Sequence, residues 1–208
     1  MTPPRPPTGK LIRALRGPAP EAAAALLGSL IVSDSTDGLV AIRLTEVEGY
    51  AGVGEDPGSH AHRGRTPRNA SMFGPPGTAY VYFTYGMHWC LNVATGPQGL
   101  ASAVLLRAGQ VIDGVDLARA RRKGAADRDL ARGPARLTQA LGVTRELDGA
   151  DLLNPHSSLR LERSRTRATQ VVRQGPRVGV SGEGALTPWR FWLDGEPTVS
   201  LYRASVRN

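Results

Sequence analysis

The chain has 208 residues, 40% of them hydrophobic, enough to bury one substantial core, and it is read as one domain. A single cysteine, Cys90, excludes an intramolecular disulfide and any multi-cysteine metal or iron–sulfur site, as expected of a reducing compartment, and no apolar run approaches the roughly 18 residues of a membrane span. The formal charge of +8 is carried almost wholly by arginine, which pairs bidentately with phosphate and so points to a polyanionic partner, although an arginine-rich coding bias would give the same composition.

Residues 1 to about 18 are Pro-rich and are expected to be poorly ordered, leaving 19–208 as the folded domain. No apolar signal core follows the opening MTPPRPPTGK, so the chain reads as cytoplasmic, and nucleoid-associated if prokaryotic. A helix is predicted from near Pro20 through Leu26, with Gly28 as its stop. Leu39 to Tyr50 reads as a strand in which a period of two sets Ile42, Leu44, Glu46, Glu48 and Tyr50 on one face. Gly52 to Asn69 forms a long loop of the kind that tends to be functional or disordered. Ala79 to Val93 alternates as a hairpin with Tyr85-Gly86-Met87-His88 at its tip, and Val104 to Leu106 is a short buried strand ending at Arg107. Helices are predicted over Asp113–Lys123, capped by the aspartate, and over 133–142, between a proline start and a glycine stop. Residues 145–170 read as irregular, and strands at 176–180 and 189–193 complete the sheet.

Glu48 lies where a strand carries a carboxylate toward a core or cleft, the setting of a general acid or base, a role that typically contributes about 10² to 10⁴ in rate. Glu46 reads as a structural partner for an arginine. His60 and His62 have no cysteine or acidic group at metal spacing and look like packing, stacking or phosphate-binding residues, so no metal is expected. Tyr50, Tyr82 and Tyr85 would each pass as ordinary strand aromatics. Together they suggest stacking on an unpaired base, with Tyr85 exposed at the tip as an inserting wedge. The chain has no GxxxxGK[ST] loop, no GxGxxG after a strand, no deaminase zinc signature and no GxSxG elbow.

From about residue 22 to 200 the sequence resembles the alkyladenine (3-methyladenine) DNA glycosylases of the type without a helix-hairpin-helix. The resemblance rests on Glu46-Val47-Glu48-Gly49-Tyr50, Thr66-Pro67-Arg68-Asn69, Met72-Phe73, Pro76-Gly77-Thr78, Tyr80-Val81-Tyr82, Tyr85-Gly86-Met87, Cys90-Leu91-Asn92 and Leu105-Leu106-Arg107-Ala108, with later blocks at 133–140 and 177–180. Small departures fall at Val53-Gly54, Gly74-Pro75-Pro76, Ala61 and the turn 96–102.

The resemblance implies a mixed α/β (α+β) domain with a curved antiparallel sheet, surface helices and a protruding tyrosine hairpin. It needs no cofactor, no metal and no covalent intermediate, and it is expected to act as a monomer on double-stranded DNA containing damaged purines. Carried over position by position, it makes Glu48 the base that activates water, with Arg107 and a main-chain carbonyl near Val178 holding that water. Tyr50, His60 and Tyr82 become the walls around a flipped base, and Asn92 the group that crowds normal guanine. Tyr85 becomes the wedge with Met87 beside it in the minor groove, and Arg65, Thr66 and Arg136 become backbone contacts. Only Lys10 and Lys123 are present, and neither is placed for a Schiff base, so a monofunctional glycosylase without lyase activity is expected. The alternatives are a non-catalytic module that recognises distorted DNA, which would bind with strong salt dependence and release no base, and an RNA-modifying enzyme, which would favour single strands or loops.

Overall fold

The computed structural model describes residues 4–164 and 169–205. Its helices are α1 (Gly9–Leu15), α2 (Ala19–Leu26), α3 (Val115–Arg121) and α4 (Pro134–Leu141), and its strands are β1 (Leu30–Ser35), β2 (Gly38–Tyr50), β3 (Ala79–Thr84), β4 (His88–Ala94), β5 (Ala103–Asp113), β6 (Leu159–Glu162), β7 (Val172–Gly175) and β8 (Arg190–Leu193). All strand pairs are antiparallel, in the order β3-β4-β5-β2-β1-β6, and β8 pairs with both β2 and β7. Strand β2 therefore organises the sheet. One of its edges runs along β5, and the other is shared between β1 at its start and β8 at its end. The result is the mixed α/β domain expected, with the sheet curled into a half-barrel.

The helices with clear punctuation fall where the sequence puts them. α2 begins with proline in its first turn and buries Ala19, Ala22, Ala23 and Leu26. α4 starts at Pro134 and closes on Gly142, whose φ of 72° supplies the left-handed cap that a side chain would resist. Both pack on the sheet, in a core that includes Leu26, Ile42, Leu44, Val47, Leu91, Val104, Leu106 and Leu137.

Several expectations change. Gly9–Leu15 form a helix within the Pro-rich segment, because Thr8 caps it by accepting the Leu11 N–H, and Leu11 and Leu15 reach the core; residues 1–3 of that segment lie outside the described residues. The strand ending at Arg107 continues to Asp113. Helix α3 is capped by Gly114 at φ 69°, while Asp113 closes β5 and accepts the Gly114 N–H. Within 145–170, Leu159–Glu162 pair with β1, and residues 165–168 lie outside the described residues. The strand expected at 176–180 is instead β7 at Val172–Gly175, because Arg177 and Val178 turn inward to make side-chain and main-chain bonds of their own.

The most consequential difference lies in β2 and β5. Their pairing passes over Ile112 on β5 near the start of β2, and from Ile42 onward it keeps a constant register except that Thr45 on β2 and Arg107 on β5 are each passed over, one compensating the other. A bulge adds a residue to one strand and so reverses which face the following side chains take. The core side chains of β2 accordingly run Val40, Ile42, Leu44 and then Val47, and the α-carbon of Gly49 faces α2, where a Cβ would meet the Ala19 carbonyl carbon at 3.2 Å. Glu46, Glu48 and Tyr50 therefore lie on the face opposite Ile42 and Leu44, not on the same face as unbroken alternation predicts.

Candidate active site

Glu48 is fully buried and held from three directions. Its Oε1 accepts the Val178 N–H at 2.7 Å, and its Oε2 accepts the Tyr50 hydroxyl at 2.9 Å and Arg107 Nη1 at 3.3 Å. The Val178 main chain, expected to help hold the water, touches Glu48 through its N–H. Burial works against the Arg107 charge, but Glu48 and Glu46 outweigh it and raise its pKa, so it stays a cation. Burial, reinforced by Glu48, pushes the Tyr50 hydroxyl well above its usual range, which keeps it a neutral donor.

In front of this group opens a cavity of about 420 Å³ lined by Tyr50, His60, Tyr82, Asn92, Arg107 and Val178, with Tyr85 at its border. Its walls are aromatic. The His60 ring meets Tyr82 edge-on with centroids 4.6 Å apart, and His60 Nδ1 lies 3.0 Å from the Tyr80 hydroxyl. Partial desolvation, followed by the charge of Arg68, lowers the His60 pKa below its ordinary value, which favours the neutral ring. Burial holds the Tyr82 hydroxyl well above its usual pKa and pushes that of Tyr80 up to about 12. Asn92 donates to the Tyr80 carbonyl at 3.0 Å, which fixes its amide at the cavity wall.

The structure thus brings together Glu48, Arg107, Tyr50, His60, Tyr82, Asn92 and Val178. Of the candidate DNA contacts, Tyr85 reaches the cavity lining, while Met87, Arg65, Thr66 and Arg136 lie outside it. Tyr85 is 79% exposed and Met87 68%, in the turn between β3 and β4, where the Met87 N–H returns to the Thr84 carbonyl. Tyr85 has φ 51°, the only non-glycine residue among the described residues at positive φ. Arg65 and Thr66 lie exposed on the loop beyond His60, Arg65 over the Phe73 ring at 5.8 Å, and Arg136 is half-exposed on α4, 3.8 Å from Asp129.

Other residues of the site escape a reading of residue types. Arg177 is wholly buried, forms a bidentate pair with Asp56, donates to the Gly49 carbonyl at 3.0 Å and stacks on the Tyr50 ring at 4.5 Å. It sits next to Val178, so it fixes two of the three groups that touch Glu48. Burial would raise the Asp56 pKa, but the hydrogen bonds and charge of Arg177, with the Gly58 and Ala51 N–H groups, bring it below the usual carboxylate value. Asn69 ties down the loop under His60 by donating to the carbonyls of His60 and Gly64 while accepting the Thr66 N–H. An available signal for Asn69 and Arg177 was their place in the matched motifs; Asp56, in an Asp-Pro-Gly turn, offered only a turn signal.

The family model described as methylpurine-DNA glycosylase matches residues 13–197. A protein of Streptomyces avermitilis is 56% identical over 189 residues, covering 90% of this chain and 88% of its own; one of Leifsonia xyli is 53% identical over 190 residues, covering 88% and 87%. One of Mycobacterium tuberculosis is 48% identical over 192 residues, covering 89% and 90%. Each has 3-methyladenine DNA glycosylase in its name. With the match running through every element that builds the cavity, the chain belongs to the methylpurine-DNA glycosylase family and is a DNA glycosylase, a hydrolase of base excision repair.

Proposed function

We propose that this enzyme extrudes a damaged purine nucleotide from duplex DNA, as a monomer, and hydrolyses its N-glycosidic bond with water activated by Glu48. The observation that carries this reading is a fully buried carboxylate clamped by Arg107, Tyr50 and the Val178 N–H directly behind an aromatic cavity. A base inside the stack is inaccessible, and flipping costs a few kcal/mol, least for damaged or mispaired bases. The flipped purine stacks among Tyr50, His60 and Tyr82, while Tyr85 fills the gap it leaves, Met87 enters the minor groove beside it, and Arg65, Thr66 and Arg136 hold the backbone.

The water oxygen attacks the anomeric carbon, its proton passes to Glu48, and the glycosidic electron pair leaves with the base, giving a free base and an abasic site. A 3-methyladenine or 7-methylguanine base already carries positive charge, which makes it a good leaving group and strengthens stacking on tyrosine faces. Neutral hypoxanthine and ethenoadenine leave less readily and require protonation of the purine. Asn92 at the cavity wall disfavours normal guanine by crowding its exocyclic amino group.

Base release from duplexes carrying 7-methylguanine, 3-methyladenine or hypoxanthine tests the reading, with wild type set against Glu48→Gln. The substitution keeps the shape and removes the base, so release is expected to fall about 10² to 10⁴-fold while lesion-duplex affinity persists. Equal activity of the two proteins would remove Glu48 from the chemistry. Binding without release by wild type would make the protein a distortion-recognising module.

A further inference from the structure

We propose that Ser200, beyond the segment the family model covers, is a positioning residue for the reaction, the central contact of a C-terminal strap that sets Arg107 against Glu48. The inference rests on the role given above to Glu48 and Arg107.

Arg107 occupies the bulge of β5, so the ladder that orients its neighbours does not orient it. Its guanidinium is aimed instead by side chains. Arg107 Nε donates to Glu46 Oε1 at 3.0 Å, and Arg107 Nη2 reaches Ser200 Oγ at 3.4 Å. Ser200 also fixes Glu46, with its N–H donating to Oε2 at 2.7 Å and its hydroxyl to Oε1 at 2.9 Å. Its carbonyl accepts from Arg190 Nη2 at 2.8 Å, and Arg190 Nε in turn donates to Glu46 Oε1 at 2.7 Å. One serine thus addresses the carboxylate, the catalytic arginine and the second arginine through its N–H, hydroxyl and carbonyl.

The neighbours of Ser200 hold the same structure from other sides. Thr198, itself buried, shares a hydrogen bond of 2.9 Å with Thr45, the bulge residue of β2. The Val199 carbonyl accepts from Arg132 Nε at 2.9 Å, and the Arg203 carbonyl accepts the Gly179 N–H at 3.2 Å, next to Val178. The strap therefore bonds to both bulges and to the segment that donates to Glu48. The Arg107 Nη1 to Glu48 distance of 3.3 Å is the quantity it controls. Loss of the Ser200 hydroxyl leaves Glu46 charge-paired, so the fold is retained, but the arginine loses one of the contacts that fix its aim.

The test is single-turnover release of 7-methylguanine from duplex DNA by wild type, Ser200→Ala, Ser200→Thr and Glu48→Gln, with lesion-duplex affinity and thermal midpoint measured for each. Ser200→Ala is expected to slow release on the order of tenfold with affinity and midpoint near wild type, and Ser200→Thr, which restores a hydroxyl, to recover most of the rate. A wild-type rate in Ser200→Ala, alongside an inactive Glu48→Gln, would overturn the positioning role and leave the glycosylase reading intact. A loss of rate matched by a loss of midpoint, or not rescued by threonine, would make Ser200 merely structural and also overturn it. Full activity of Glu48→Gln would sink the functional reading and this inference together.

Discussion

The polar wall behind the cavity and the β3–β4 turn in front of it are built in opposite ways. In the wall, Glu46, Glu48, Asp56, Arg107, Arg177 and Arg190 are buried, and each is held by several hydrogen bonds or ion pairs. At the turn, Tyr85 is mostly exposed in a backbone conformation that L-residues disfavour, and Met87 beside it is exposed as well. The wall must be correct before substrate arrives, because a buried charge without its partner is costly and a misplaced donor stabilises nothing in the transition state. The turn instead carries local conformational cost in place of packing.

This contrast can be broken most forcefully at Asp56. Asp56→Ala leaves the buried Arg177 guanidinium without its bidentate partner and is expected to cost about 3–5 kcal/mol, a fall in Tm on the order of 10 °C for a domain of this size. Calorimetry of the variant decides the matter; a midpoint near wild type would mean that the wall is not fixed by this pair.

Tyr85→Gly moves stability and function in opposite senses. Glycine accepts the positive φ without steric cost, so stability should rise by about 1 kcal/mol, while affinity for a lesion duplex drops about tenfold with the loss of the inserting ring. Urea unfolding and a binding titration measure the two effects. Unchanged affinity would remove Tyr85 from the interface.

The smallest effect is expected at the cavity mouth. The His60 pKa lies below its ordinary value of about 6.5, so the ring is neutral at and above that pH and gains a proton only as the pH falls below it. The added charge then repels a cationic base, and release of 7-methylguanine should decline about fivefold on the acid side of pH 6.5. His60→Gln should lack that contribution; an identical acid limb in the variant would assign the titration to another group.

The sequence carried the helices α2 and α4 plainly, because proline starts and glycine stops act locally. It also marked the cavity residues, whose motifs are short and contiguous. The bulges at Thr45 and Arg107 were not legible, since no residue type betrays a lost ladder position in a run as regular as Ile42 to Tyr50. Arg177 lay in a matched block, but its role as a buried ion-pair partner was hidden for a different reason. Its partner lies 121 residues away, and an arginine in a basic chain reads as surface until the fold closes around it. Helix α1 was missed because prolines on either side masked two leucines at helical spacing.

The paired irregularity in β2 and β5 also sets a rule of length. Deleting Thr45 would leave Arg107 as an uncompensated extra residue on β5, and deleting Arg107 would remove a member of the site and leave Thr45 uncompensated on β2, so that the pairing offset would differ on the two sides of the bulge. Because each extra residue cancels the other only when both are present, single-residue gaps within 44–48 or 105–109 should be barred to evolution and to engineering alike, whatever side chains those positions carry. Conserved spacing, beside the letters of Glu48 and Arg107, would then be a hereditary signature of this site.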